Sequence, residues 1–171
     1  CKECHSTNDV ISPIGPKARN LDKDLNYGDG SKNQLAYLLQ KGVIDSIPTN
    51  FQTISDWEDE SQSLEDRSRA YLAINCGHCH TPSGVANSTG LYLDFNEVRP
   101  LHLGINKSPV ATGRGSGNLN YSIVPGKAHE SILLFRMIST DPGVMMPESG
   151  RSLVHVEASN LIKEWINSMD N

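Results

Sequence analysis

The chain has 171 residues and a formal net charge of −5. That excess of acid argues against nucleic acid or an anionic membrane surface as a partner. No run of about 18 apolar residues occurs, so no membrane span is expected, and the length suits one or two small globular units.

The first residues, Cys1-Lys2-Glu3-Cys4-His5, form a C-x-x-C-H motif, and Cys76-Gly77-His78-Cys79-His80 repeats it. Together the two use all four cysteines. On a helical turn, positions i, i+3 and i+4 share one face. Two thiols so placed can each join a porphyrin vinyl group while the adjacent imidazole reaches the iron. This is the attachment pattern of c-type haem. Zinc is the competing reading, because paired C-x-x-C motifs also build zinc sites, but zinc does not require a histidine directly after each pair. A disulfide across a two-residue spacing would close only a tiny loop. Two covalently bound haem c groups are therefore expected, with His5 and His80 as iron ligands. Covalent haem attachment points to export, so a periplasmic or extracellular location is expected, with the residues ahead of Cys1 either cleaved or absent from this chain. Lipidation of Cys1 is the weaker reading, since it would consume the sulfur that the haem vinyl needs.

Further along, Ser12-Pro13-Ile14-Gly15-Pro16 reads as a turn-rich loop. Residues 22–33 resemble a calcium loop only faintly. Tyr27 stands where glycine belongs and Asn33 where glutamate belongs, so an ordinary polar loop is the expectation. Leu35, Leu38 and Leu39 mark one face of a helix that Gly42 ends. The acidic stretch 55–63 is the expected connector, giving a first unit over 1–62 and a second over 63–171.

In the second unit, Ser63-Leu64-Glu65-Asp66 has the form of a capping box. The helix it opens carries Arg67, Ala70, Tyr71 and Ile74 and delivers Cys76 to its place. Residues 83–122 are rich in Gly, Asn and Ser. Alternating Leu91, Leu93 and Phe95 suggest a short β segment there, and Val110 to Asn120 must be loop. Ser131 to Ile138 reads as a short apolar helix and Asp141-Pro142-Gly143 as a turn. Ala158, Leu161, Ile162, Trp165, Ile166 and Met169 form the apolar stripe of a last helix.

The order of helix, C-x-x-C-H, long loop, short helix, Met145-Met146-Pro147 and terminal helix resembles a class I cytochrome c over residues 63–171. The runs Leu64 to Leu72 and Val124-Pro125-Gly126 into Ser131 and Arg136 resemble bacterial periplasmic di-haem c-type cytochromes. The resemblance implies an all-α fold of two cytochrome c-like haem units, the second with a long loop-rich insertion. It also implies a methionine on the far side of the second iron, where a thioether raises the potential. Met146 is the best candidate and Met145 the runner-up. Met137 and Met169, on helical apolar faces, read as core.

Between His5 and Asn75 there is no other histidine and no methionine. The first iron therefore lacks an ordinary sixth ligand from its own unit. The alternatives are a histidine of the second unit (His129 and His102 ahead of His155 and His78), a neighbouring subunit, a lysine amine, or an open site. The functional expectation is an electron-transfer protein relaying single electrons through two haems, with redox proteins as partners, a basic patch on such a partner suiting the acidic chain, and neighbouring copies of itself as a further option. The alternative is a small di-haem peroxidase-like oxidoreductase with the first haem as the substrate site. No nucleotide fingerprint competes, because Gly113, Gly115 and Gly117 lack the strand–helix setting it needs.

Overall fold

The computed structural model describes residues 5–7, 10–11, 14–110 and 112–170. The elements run β1 (Ser6–Thr7), β2 (Val10–Ile11), α1 (Ala18–Leu21), β3 (Asp24–Asn26), β4 (Ser31–Asn33), α2 (Gln34–Gln40), α3 (Leu64–Asn75), α4 (Ile132–Ile138) and α5 (Val156–Ser168). Short 3₁₀ turns lie at Asn87–Thr89, Gly113–Ser116 and Ala128–Glu130. The expected all-α architecture of two cytochrome c-like units is not what forms. Helix accounts for only 33 % and strand for 8 %, so the fold is mixed and loop-rich. Both sheets are two-stranded antiparallel hairpins, β1–β2 and β3–β4, and both precede α3.

The β3–β4 hairpin has a local cause. Asn26 Oδ1 accepts a hydrogen bond from the Gly28 backbone N–H at 2.8 Å, an Asx turn, and Tyr27 N–H donates to the Gly30 carbonyl at 3.1 Å. Gly28 and Gly30 take φ of +88° and +128°, which side chains with a Cβ rarely adopt. What reads as a polar loop is thus a turn closing two polar strands, paired Asp24 to Asn33 through Asn26 to Ser31. Tyr27 stacks on Tyr37 of α2 with ring centroids 3.8 Å apart.

Residues 91–95 form no strand. Tyr92 N–H donates to the His102 carbonyl and Leu93 N–H to the His80 carbonyl, so successive backbone groups bond to different segments and no ladder can build.

The core follows the expected stripe of α5, but on α3 Leu72 is buried while Ile74 of the expected face is exposed, and Leu39 of α2 is exposed as well. Ser63 caps α3, its side chain accepting from the Asp66 backbone N–H at 3.0 Å. Tyr71 and Leu72 of α3 meet Ala158, Leu161, Ile162, Trp165 and Ile166 of α5, and Leu93, Ile123, Ala128 and Leu134 complete the cluster. Ile162 and Ile166 are wholly buried. Ile162→Ala is expected to lower the unfolding free energy by about 2–5 kcal/mol through lost burial and a residual cavity, measured by urea titration. A loss below about 1 kcal/mol would show that α5 is not the central packing element.

Arg69 is buried on α3, and its Nη2 donates to the carbonyls of Asp94, Phe95 and Glu97, pinning an irregular loop to a helix. The residues before α3 reach the loop after the motif through Lys17 Nζ to Asp94 at 3.0 Å and Arg19 to Asp94 at 4.0 Å, while Lys23 Nζ to Asp56 at 3.2 Å ties them to the connector. Trp57 of the connector packs on the core, and its carbonyl accepts from Arg67 Nε at 2.9 Å. Among the described residues no helix is long and apolar enough to cross a membrane.

Candidate functional site

Helix α3 ends at Asn75, and its last turn runs directly into the second C-x-x-C-H motif. Cys76 N–H donates to the Leu72 carbonyl at 2.8 Å. Cys79 N–H and His80 N–H then both donate to the Cys76 carbonyl, at 3.1 and 2.9 Å. The motif is therefore one further helical turn. Gly77 is required within it, because a Cβ there would lie 2.7 Å from the Ala73 carbonyl oxygen and 3.0 Å from that of Leu93. Gly84 is required after it, since a Cβ there would collide with the Cys79 carbonyl. Leu93 N–H ties back to the His80 carbonyl at 2.8 Å, fixing the loop that follows.

This turn opens onto a cavity of about 570 Å³, within the range of cofactor pockets. Cys76, Cys79 and His80 line it. So do the apolar Leu91, Leu93, Ile132, Leu133 and Met137, together with Met146 and Pro147. Burial pulls the His80 imidazole below its ordinary range, the nearby Leu91 backbone opposes that, and the Arg136 and His78 charges add to it. That direction favours the neutral imidazole, the form in which a ring nitrogen can bind a metal. Its Nδ1 is buried without a well-formed hydrogen bond among the described residues. Burial and the neighbouring Cys79 push the Cys76 thiol up to about 12.

The methionine segment is hung on the end of α4. Met146 N–H donates to the Arg136 carbonyl at 3.1 Å, and Arg136 Nε donates to the Val144 carbonyl at 2.8 Å. Arg151 caps the same helix end, donating to the carbonyls of Arg136, Met137 and Ser139. Met146 is half-buried on the cavity, whereas Met145 is turned into the interior and buried. Met137 both borders the core and lines the cavity, and Met169 packs against the core.

A protein-borne haem fits these residues. Two cysteines, an imidazole and a thioether converge on one largely apolar cavity, and a porphyrin would supply four further iron ligands itself. Among the described residues no group of three or more His, Cys, Asp or Glu side chains is placed to hold a bare metal ion.

Cys1 and Cys4 lie outside the described residues. His5 is exposed, its Nδ1 3.5 Å from the Ile14 backbone N–H. His102 Nδ1 lies 3.3 Å from Glu97 Oε2, with its ring edge-on to Tyr92. His129 has an 80 % exposed side chain and lies 3.5 Å from Glu130. His155 Nδ1 lies 3.1 Å from the Tyr71 hydroxyl, beside Trp57. His78 differs from all three. Its Nδ1 is buried without a well-formed hydrogen bond among the described residues. Burial lowers its pKa, the nearby Ile74 backbone opposes that, and the charges of His5 and Lys17 lower it further, which places the first motif's histidine within electrostatic reach.

The charged cavity residues Lys107, Arg136 and Glu148 were not singled out as site residues from the sequence. Arg136 carried a signal, being a lone charge inside the apolar run Ile132 to Ile138. No family model matches the chain, and no curated protein or solved structure is similar to it.

Proposed function

We propose that this chain is an exported electron-transfer protein that carries two covalent c-type haems, a bacterial di-haem cytochrome in function. The observation that carries this reading is the convergence of Cys76, Cys79, His80 and Met146 on a single cavity. Bound haem would supply one-electron chemistry at its iron. The chain's own part is to anchor and orient. Cys76 and Cys79 would hold the porphyrin edge, and His80 and Met146 would bind its iron, the thioether favouring the reduced form.

For the first haem, Cys1, Cys4 and His5 take the same roles, and His78 is the proposed sixth ligand. Its support is a half-buried place on the motif turn within electrostatic reach of His5, whereas His102, His129 and His155 lie beside Glu97, Glu130 and Tyr71. Redox proteins presenting a basic surface are the proposed partners of this acidic chain.

The test is intact mass with oxidised and reduced spectra. The mass should exceed the polypeptide by two haems, and both irons should be six-coordinate. One haem, or bound zinc, overturns the reading. A high-spin first iron that turns over hydrogen peroxide replaces it with the peroxidase-like one.

A further inference from the structure

We propose that Tyr71 and His155 form a redox site of their own: a strong one-electron oxidant takes an electron from the Tyr71 ring while the hydroxyl proton passes to His155. The pair needs no bound group and stands apart from the reading of the cavity.

Tyr71 lies on α3 and is buried. Its hydroxyl is 3.1 Å from Nδ1 of His155, which stands at the start of α5. Nε2 of the same imidazole lies 3.9 Å from Glu157 Oε2, and the His155 side chain is half exposed. The imidazole therefore joins a buried phenol to solvent. Trp57 stands edge-on to both rings, its centroid 5.7 Å from that of Tyr71 and 5.1 Å from that of His155. The Tyr71 carbonyl accepts from Asn75 Nδ2 at 2.9 Å, and Asn75 lines the motif cavity. Cys76 packs against the core cluster that holds Tyr71. The pair thus sits between the cavity wall and the surface, placed to lead a damaging oxidising equivalent outward and spare the Met146 thioether.

Burial raises the Tyr71 pKa, Cys76 adds to that and Arg151 opposes it, so the phenol keeps its proton at neutral pH. A phenol that loses an electron becomes strongly acidic. Left with its proton it would be a cation in apolar surroundings, which is costly. A base already at hydrogen-bond distance removes that cost, and imidazole suits the part. The oxidant gains one electron, the Tyr71 O–H bond breaks and an N–H bond forms at His155 Nδ1. The products are a neutral tyrosyl radical and an imidazolium beside the Glu157 carboxylate. A one-electron reductant in solution returns the electron as the proton goes back. Among the described residues no other tyrosine hydroxyl has a histidine at this distance. Tyr92 donates to the Asn87 carbonyl at 3.3 Å, which is no base. The Tyr37 ring faces the ammonium groups of Lys32 and Lys41, which disfavour a positive charge there.

The experiment uses the full chain as isolated, with any haem counted by mass, and photogenerated tris(bipyridine)ruthenium(III) as the oxidant, so the outcome does not depend on what the cavity holds. Radicals are trapped by freezing and read by electron paramagnetic resonance, with ring-deuterated tyrosine to identify a tyrosyl signal. Tyr71→Phe should abolish that signal and Tyr92→Phe should leave it. His155→Phe, which keeps Tyr71 but removes the base, should lower its yield about tenfold or more. An imidazole already protonated cannot accept, so the yield in the unmodified protein should fall from about pH 8 to about pH 5, while that of His155→Phe stays low throughout. The other charged or titratable groups facing the pair are Arg151, Glu157 and Cys76, and they are common to all the variants. Isotope-labelled histidine reads the pair in the unmodified protein, whatever happens to the variants, since the radical should couple to an imidazole nitrogen. A tyrosyl signal that survives in folded Tyr71→Phe, a full yield in His155→Phe, or a radical with no nitrogen coupling overturns the proposal.

Discussion

Met146→His is expected to leave the second haem attached and to lower its reduction potential by a few tenths of a volt, a substantial part of the roughly 0.8 V over which axial ligands set haem potentials. The thioether stabilises the ferrous state, and imidazole lacks that effect. Attachment should survive because Cys76 and Cys79 sit on a separate turn that ends α3, away from the segment hung on α4. Met145→His should act differently. Met145 is buried in the interior, so an imidazole there should cost stability rather than potential. Potentiometry on both variants is the check. An unchanged potential in Met146→His with a lowered one in Met145→His would reverse the assignment of the two methionines.

His78→Ala is expected to convert the first iron from low to high spin, read by electron paramagnetic resonance, while His102→Ala, His129→Ala and His155→Ala leave it low spin. With imidazole on both sides, the first haem should also be the lower-potential of the two, so that electrons rest on the second. If all four variants remain low spin, His78 is not the ligand, and a lysine amine or a second copy of the chain takes its place. Dilution then separates those two, since only the second depends on concentration.

The parts of this molecule that could be read from sequence are those with local causes. The motif turn follows from Cys76, Cys79 and His80 at fixed spacing, and α5 from a stripe that repeats through thirteen residues, Val156–Ser168. The hairpins before α3 were missed because Asp24-Leu25-Asn26 and Ser31-Lys32-Asn33 are polar on both faces and show no alternation. Their pairing rests on the Asn26 side chain and two glycines. Leu91, Leu93 and Phe95 do alternate, yet their backbone groups are claimed by His80 and His102, which are distant in the fold's logic though near in number. Among the spare histidines, sequence shows only which stand in loops or at helix starts; it does not show that His129 is exposed while His78 is half-buried on the motif turn. Arg136 and Arg69 show a different limit. A buried or half-buried arginine can stand out by its place in a packed run, but its partners here are backbone carbonyls, which leave no pattern in sequence.

The attachment of the first sixty or so residues has a further consequence. The continuous apolar cluster draws on residues from Trp57 onward, whereas Lys17 and Arg19 reach across to Asp94. A surface pair such as Lys17 with Asp94 contributes about 0–1 kcal/mol. Such pairs weaken as dissolved ions shorten the electrostatic range from about 10 Å at 0.1 M to about 3 Å at 1 M. The joint is therefore tuned by the surrounding medium, tight in fresh water and looser in brine, while the α3–α5 interior is indifferent to either. Whatever depends on the spacing of the two motifs inherits that sensitivity to salinity.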